Sequence, residues 1–196
     1  MLWDMRTPIE IVPYRESWPA EFSELGERLR AALGDLAVRI DHIGSTSVPG
    51  LAAKDVLDVQ VTLAALDGPD ALEPLVAIGA TNTRIEQDHQ PPGMDLSAVE
   101  LRKKLVGFKP PHRRANIHIR EAGRFNQQYP LLCRDFLRHS ADAARAYEEI
   151  KLQLAKRFRD DVESYYDIKD PAFDLIMAGA REWADATGWK PGPSDA

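Results

Sequence analysis

The sequence predicts a mixed α/β (α+β) fold, a single mixed sheet flanked by helices and followed by a helical C-terminal segment. Three observations point there. Short runs at 36–43, 56–63 and 116–119 alternate apolar and polar residues, the period of a half-buried strand. The later strands come in hairpin-like pairs, which favours a mixed sheet over a fully parallel one. After Gly123 the apolar period lengthens to that of helices and stays there. A chain of 196 residues, 44% hydrophobic and 29% charged, fits one domain able to bury a core. The expected division is a sheet body over about 9–123 and a helical segment over about 124–189, within a single domain spanning 1–196.

The elements follow in order. Ile9–Val12 reads as a short strand. Ser17 and Pro19 mark a helix start, Phe22, Leu25, Leu29 and Leu33 give it one apolar face, and Gly34 closes it. Leu36–Ile43 is a strand, Gly44–Gly50 a tight turn and Val56–Leu63 a second strand. Asp70–Ile78 reads as a short helix ended by Gly79, and Thr81–Ile85 as a strand. Gln90–Gly93 breaks the chain. Leu101–Phe108 and Asn116–Ile119 are strands joined by the turn Lys109–His112. Asn126–Arg138, Ala141–Phe158 and Pro171–Ala186 read as helices.

Composition narrows the functional classes. The single cysteine, Cys133, excludes an internal disulfide framework and a cysteine-based zinc site, and its apolar helical setting makes it a buried small hydrophobe. No apolar run reaches the length of a membrane span. Met1–Arg6 shows no apolar signal region before charges appear, so the expected location is the cytoplasm. The net charge of −6 argues against general affinity for nucleic acid or acidic membranes. Residues 101–125 nevertheless hold eight basic residues against one acid. A local basic surface on an acidic protein suits a small anion; a protected strand edge has the same composition.

The sharpest chemical feature is Gly44-Ser45 at the end of one strand, with Asp58 inside the next. A carboxylate within a strand is costly if buried alone, and is tolerated where it meets a metal, a cation or a hydroxyl. Ile43-Gly44-Ser45, a spacer, and Asp58-Val59-Gln60-Val61 resemble the signature of DNA polymerase β-like nucleotidyltransferases. In that pattern the small turn lets backbone amides approach phosphates, and paired carboxylates on the adjacent strand hold Mg²⁺ against them. Here Gln60 stands at the second carboxylate position, and the later strand offers no third acid. Asp55 is three residues from Asp58 and so faces the other way on a strand.

A longer string is more specific. Asp41–Lys54, Arg114–Arg120, Leu132–Leu137 and Tyr147–Lys151 together resemble the GrpB family, over roughly residues 9–189. GrpB domains occur alone and fused behind dephospho-coenzyme A kinase. No P-loop of the G-x-x-x-x-G-K-[ST] type is present, so kinase activity on dephospho-coenzyme A is not expected.

The resemblance implies a nucleotidyltransferase-like sheet that binds a nucleotide or another phosphorylated metabolite. Gly44, Ser45 and Thr46 would meet phosphate, with charge from Lys54, Arg114 and Arg134. Asp58 would hold Mg²⁺ or orient a hydroxyl, while Asn116 and His118 line the pocket. Asp58 and His118 are the candidate catalytic pair. His118 is compatible with a general base, a transition-metal ligand or a hydrogen-bonded strand residue. A set of His42, Asp58 and His118 would give two histidines and one carboxylate for a metal. The alternative is a non-catalytic module that assists folding or regulation, or binds a protein partner.

Overall fold

The computed structural model describes residues 8–196. Met1–Arg6, read above for targeting, lie outside the described residues. The sheet has five strands in the order β1-β2-β5-β4-β3. They are β1 Ala37–Ile43, β2 Leu57–Leu63, β3 Thr81–Asn82, β4 Lys103–Phe108 and β5 Ala115–Glu121. β2 and β5 are parallel, and every other neighbouring pair is antiparallel. The mixed sheet expected from the late hairpin is therefore present.

The register gives the sheet two unlike faces. Ile40, Val59, Val61, Ile117 and Ile119 share one face and are fully buried. Helix α1 (Trp18–Leu33) lies on it, presenting Trp18, Phe22, Leu25, Leu29 and Leu33 at helical spacing. Helix α2 (Leu72–Ala77) adds Leu75 to the same core. Each buried side chain of this size contributes roughly 1.5–3 kcal/mol of transfer free energy. The opposite face carries Asp58, Gln60, Asn116, His118 and Arg120, a polar set that a second apolar layer could not cover.

Helix α3 (Ala98–Leu101) precedes β4, and α4 (Phe125–His139), α5 (Ala141–Arg157) and α6 (Val162–Thr187) follow β5. α4 and α6 share a core of Tyr129, Leu132, Cys133, Met177 and Ala180. Cys133 is fully buried, with Sγ 3.8 Å from the Met177 sulfur, as its apolar setting indicated.

Four expectations need correction. The Ile9–Val12 segment forms one β-bridge, Val12 to Ala53, and no strand. The strand at 81–85 shrinks to Thr81–Asn82, because Arg84 takes a φ of 60° that breaks pairing. Residues 98–101 form a helical turn, so β4 starts at Lys103. The last helix starts at Val162, nine residues before Pro171, because Asp161 caps it by accepting the Ser164 N–H at 3.0 Å.

Candidate functional site

β1 ends at Ile43, and Gly44 turns the chain at φ 70° into the short 3-10 helix Ser45–Ser47. A Cβ built on Gly44 would lie 2.6 Å from Asp58 Oδ2, so only glycine lets this turn rest on the carboxylate. Ser47 Oγ donates to the Gly44 carbonyl at 2.6 Å and closes the turn. Ile43 pairs with Asp58 across β1 and β2, which puts the turn and the carboxylate side by side.

Asn116 pairs with Asp58 across β2 and β5, and its Nδ2 donates to Asp58 Oδ1 at 2.9 Å. His118 Nε2 lies 3.7 Å from the same oxygen. The two candidate catalytic residues therefore do meet in space. Burial pushes the Asp58 carboxyl up; the N–H groups of His118 and Asn116 and the Lys54 charge outweigh it, holding the acid below its ordinary range. Burial pulls His118 down to about 4, so it is neutral at pH 7. Its Nδ1 lies 3.4 Å from Arg120 Nη2, a donor, which places the ring hydrogen on Nε2, toward Asp58. The ring thus sits between the Arg120 guanidinium and the Asp58 carboxylate.

Gln60 is fully buried and already bonded. Its Nε2 donates to the Gln127 carbonyl at 2.9 Å, and its Oε1 accepts from Arg120 Nη1 at 2.8 Å. Asp88, which the sequence reading passed over, reaches the same face from a loop. It accepts from Lys103 Nζ at 2.5 Å, Arg120 Nε at 2.9 Å and Asn126 Nδ2 at 3.0 Å. Burial opposes the Asp88 charge, but Arg120 and Lys103 hold this carboxyl far below its ordinary range.

A cavity of about 780 Å³ lies over this face. One wall is the Gly44–Thr46 turn with Asp58, Asn116 and His118, and Lys103, Arg120 and Asp88 line it further along. The cavity is also lined by Lys54, Lys151 and Lys169 together with Tyr147, Tyr166 and Phe173. Lys54 bonds the Tyr166 hydroxyl and lies 4.6 Å from that ring's centroid. Lys151 is almost fully buried, donates to the Ala52 carbonyl at 2.5 Å, and packs 4.8 Å from the Tyr147 centroid. Burial, with repulsion from Lys169, pulls its amine down to about 7. Lys169 sits 2.9 Å from Asp170.

The sequence-derived site residues thus divide. Gly44, Ser45, Thr46, Lys54, Asp58, Asn116 and His118 line one cavity. Arg114 lines a smaller neighbouring cavity of about 330 Å³, which shares Lys54 and Asn116 with the larger one. Arg134 does not reach either cavity. It is buried under β1, bonded to Asp135, to the His42 carbonyl and to Asp195. His42 lies on the opposite sheet face, stacked 4.6 Å from Phe22, with Nε2 3.0 Å from Thr46 Oγ1, so it cannot join Asp58 and His118 around one ion. Asp55 also points away, toward Arg15, Trp18 and Arg113.

Much of the basic segment is neutralised by its own Glu121 and by acids outside it. Arg102 meets Asp67, Arg113 meets Glu21 and Asp55, and Arg124 meets Glu100 and Glu121. The missed residues are Asp88, Lys151 and Lys169. A lone aspartate in a loop gives no signal, and lysines on amphipathic helices read as solvated.

The donor set decides whether Mg²⁺ fits. Asp58 offers one carboxylate, Gln60 is held by Arg120, and Asp88 is held by three donors. Among the described residues no group of three or more His, Cys, Asp or Glu side chains converges for a metal. A two-metal transferase centre does not fit these side chains.

Comparison with known proteins completes the description. A family model described as GrpB protein matches residues 8–178. The chain is 37% identical over 201 residues to a protein named dephospho-CoA kinase from Mycolicibacterium paratuberculosis, covering 95% of this chain and 49% of that protein. It thus spans about half the length of that relative and of its mycobacterial counterparts. It is 33% identical over 171 residues to a UPF0157 protein of Streptomyces coelicolor, covering 87% of this chain and 81% of that one. The crystal structure of the conserved protein GrpB from Enterococcus faecalis is similar at a TM-score of 0.73 and 26% identity, over 89% of this chain and 99% of that one.

Proposed function

Because the chain belongs to the GrpB family, and the matched span holds every residue lining the large cavity, we propose that this cavity binds a nucleotide or another polyphosphorylated metabolite. The observation that carries this reading is the convergence of Lys54, Lys151 and Lys169 on the cavity that the Gly44–Thr46 turn also lines. Ammonium groups brought together in a partly enclosed space repel one another, and a polyanion relieves that repulsion. The turn adds small polar groups that a phosphate can approach. Tyr147, Tyr166 and Phe173 offer ring faces to the uncharged part of the ligand. Asp58, held ionised beside the turn, accepts a hydrogen bond from a ligand hydroxyl.

The donor chemistry supports binding over two-metal nucleotidyl transfer, and Asp58 is the carboxylate beside the Gly44–Thr46 turn, placed to share a Mg²⁺ ion with ligand phosphates. Thermal shift with nucleoside triphosphates, pyrophosphate, coenzyme A precursors and sugar phosphates, each with and without Mg²⁺, tests the reading. A ligand at 100 times its Kd adds about 2.7 kcal/mol, a shift of several degrees for a domain this size. A hit lost in a Lys54→Ala, Lys151→Met double variant supports it. No shift with any phosphate overturns it and leaves the partner-binding module as the better reading.

A further inference from the structure

β1 is the outer strand of the sheet, and the N–H and C=O groups of Ile40 and His42 turn outward from it. A bare edge of this kind is a template for any extended chain. In this protein residues 193–196 cover it. The N–H groups of Asp195 and Ala196 donate to the Ile40 carbonyl at 3.1 and 3.0 Å. Ser194 Oγ accepts the Ile40 N–H at 2.8 Å, and Asp195 Oδ2 accepts the His42 N–H at 2.9 Å. Arg134 Nη1 bridges the His42 carbonyl, at 3.0 Å, and Asp195 Oδ2, at 2.7 Å.

The seat belongs to the body of the protein, not to the segment that fills it. Arg134 projects from α4, is 4% exposed and is fixed by Asp135 at 2.8 Å. Arg30 Nη2 holds the Ala196 carbonyl at 2.9 Å, and Arg39 Nη2 reaches the Pro193 carbonyl at 3.3 Å. A Cβ built on Gly26 would meet the Ala196 Cβ at 2.7 Å, so the floor under that position is closely packed. Gly26, Arg30, Arg39, Ile40, His42 and Arg134 all fall within the family span 8–178, whereas residues 193–196 fall beyond it. The groove therefore supplies one backbone carbonyl and two backbone N–H groups, a buried cation for one acidic side chain, and close packing beneath the residue after it.

We propose that the outer edge of β1, together with Arg134, is a docking groove for an extended acidic peptide of a protein partner, read through an aspartate followed by a small residue. Residues 193–196 fill it in cis and keep it closed. Two main-chain N–H groups on the Ile40 carbonyl, with side-chain oxygens accepting the Ile40 and His42 N–H groups, supply affinity, and the charge-assisted bond to Arg134 supplies selectivity.

Fluorescence anisotropy with a labelled peptide spanning 188–196 tests this. The proteins compared are the intact chain, the Asp195→Arg variant, which turns the cis segment against Arg134, and a chain ending at Gly192. Both altered chains are expected to bind the peptide. A peptide with alanine in place of the aspartate is expected to bind about 10-fold more weakly, a loss of about 1.4 kcal/mol. The intact chain is expected to bind about 100-fold more weakly, because a tethered segment competes at millimolar effective concentration. Equal binding of the alanine peptide, or no binding by folded forms of both altered chains, would overturn the proposal. Failure of both altered chains to fold would overturn it too, since residues 193–196 would then be an integral part of the sheet.

Discussion

At the scale of single residues, the site turns on contact between Gly44 and Asp58. Gly44→Ala meets two obstacles at once: φ near 70° and a Cβ 2.6 Å from a carboxylate oxygen. Such strain costs on the order of 1–3 kcal/mol. The midpoint of urea unfolding should fall accordingly, and an unchanged midpoint would show that the turn does not rest on Asp58. Asp58→Asn tests the carboxylate itself. Its oxygen can still accept from Asn116, so the fold should hold while affinity for a phosphorylated ligand drops 10-fold or more by calorimetry. A lowered melting temperature with unchanged affinity would assign Asp58 a structural role. These residues were legible in sequence because turn and strand lie within fifteen residues of each other. Arg134 misled for the opposite reason: an arginine in an apolar helix run shows that it is buried, but not which of two layers it enters.

At the scale of elements, the lysine wall is built by parts of the chain far apart in sequence, the loop before β2 and helices α5 and α6. No local pattern announces it. Lys151 falls on the same stripe of α5 as Tyr147 and Leu154, and tertiary packing buries it with them, but nothing local names the other lysines it meets. Pro171 misled similarly, since proline is common in the first turn of a helix and here falls inside α6. The wall makes a testable claim about pH. With the Lys151 amine pulled down to about 7, its charged form is lost as pH rises through neutrality. Pyrophosphate binding should therefore weaken between pH 6 and pH 9, with proton uptake on binding measurable by calorimetry in buffers of different ionisation enthalpy. Lys151→Met should flatten the profile. A profile equally steep in that variant would remove Lys151 from the wall.

At the scale of the whole molecule, one sheet separates an apolar layer from a polar one, and each layer buries a neutral histidine. The strand alternation in the sequence announced two faces. It could not show that both would be covered, because the cover on the polar side comes from helices whose partners the sequence does not name. His42 under α1 and His118 beside Asp58 are both held by burial at about 4, against an ordinary value near 6.5. The unfolded chain therefore binds more protons than the folded one between those values, so stability is full above about pH 6.5 and is lost as pH falls toward 4. Each histidine accounts for roughly 2–3 kcal/mol across that window. The carboxylates held low by their partners, Asp55, Asp58 and Asp88, act in a different window, sustaining stability above about pH 4 and giving it up only below. The fall in the urea midpoint between pH 7 and pH 4.5 thus belongs to the histidines. His42→Gln, which keeps a partner for Thr46 but cannot be charged, should remove about half of that fall. If the variant followed the wild-type curve throughout, the acid response would have to come from outside the two layers.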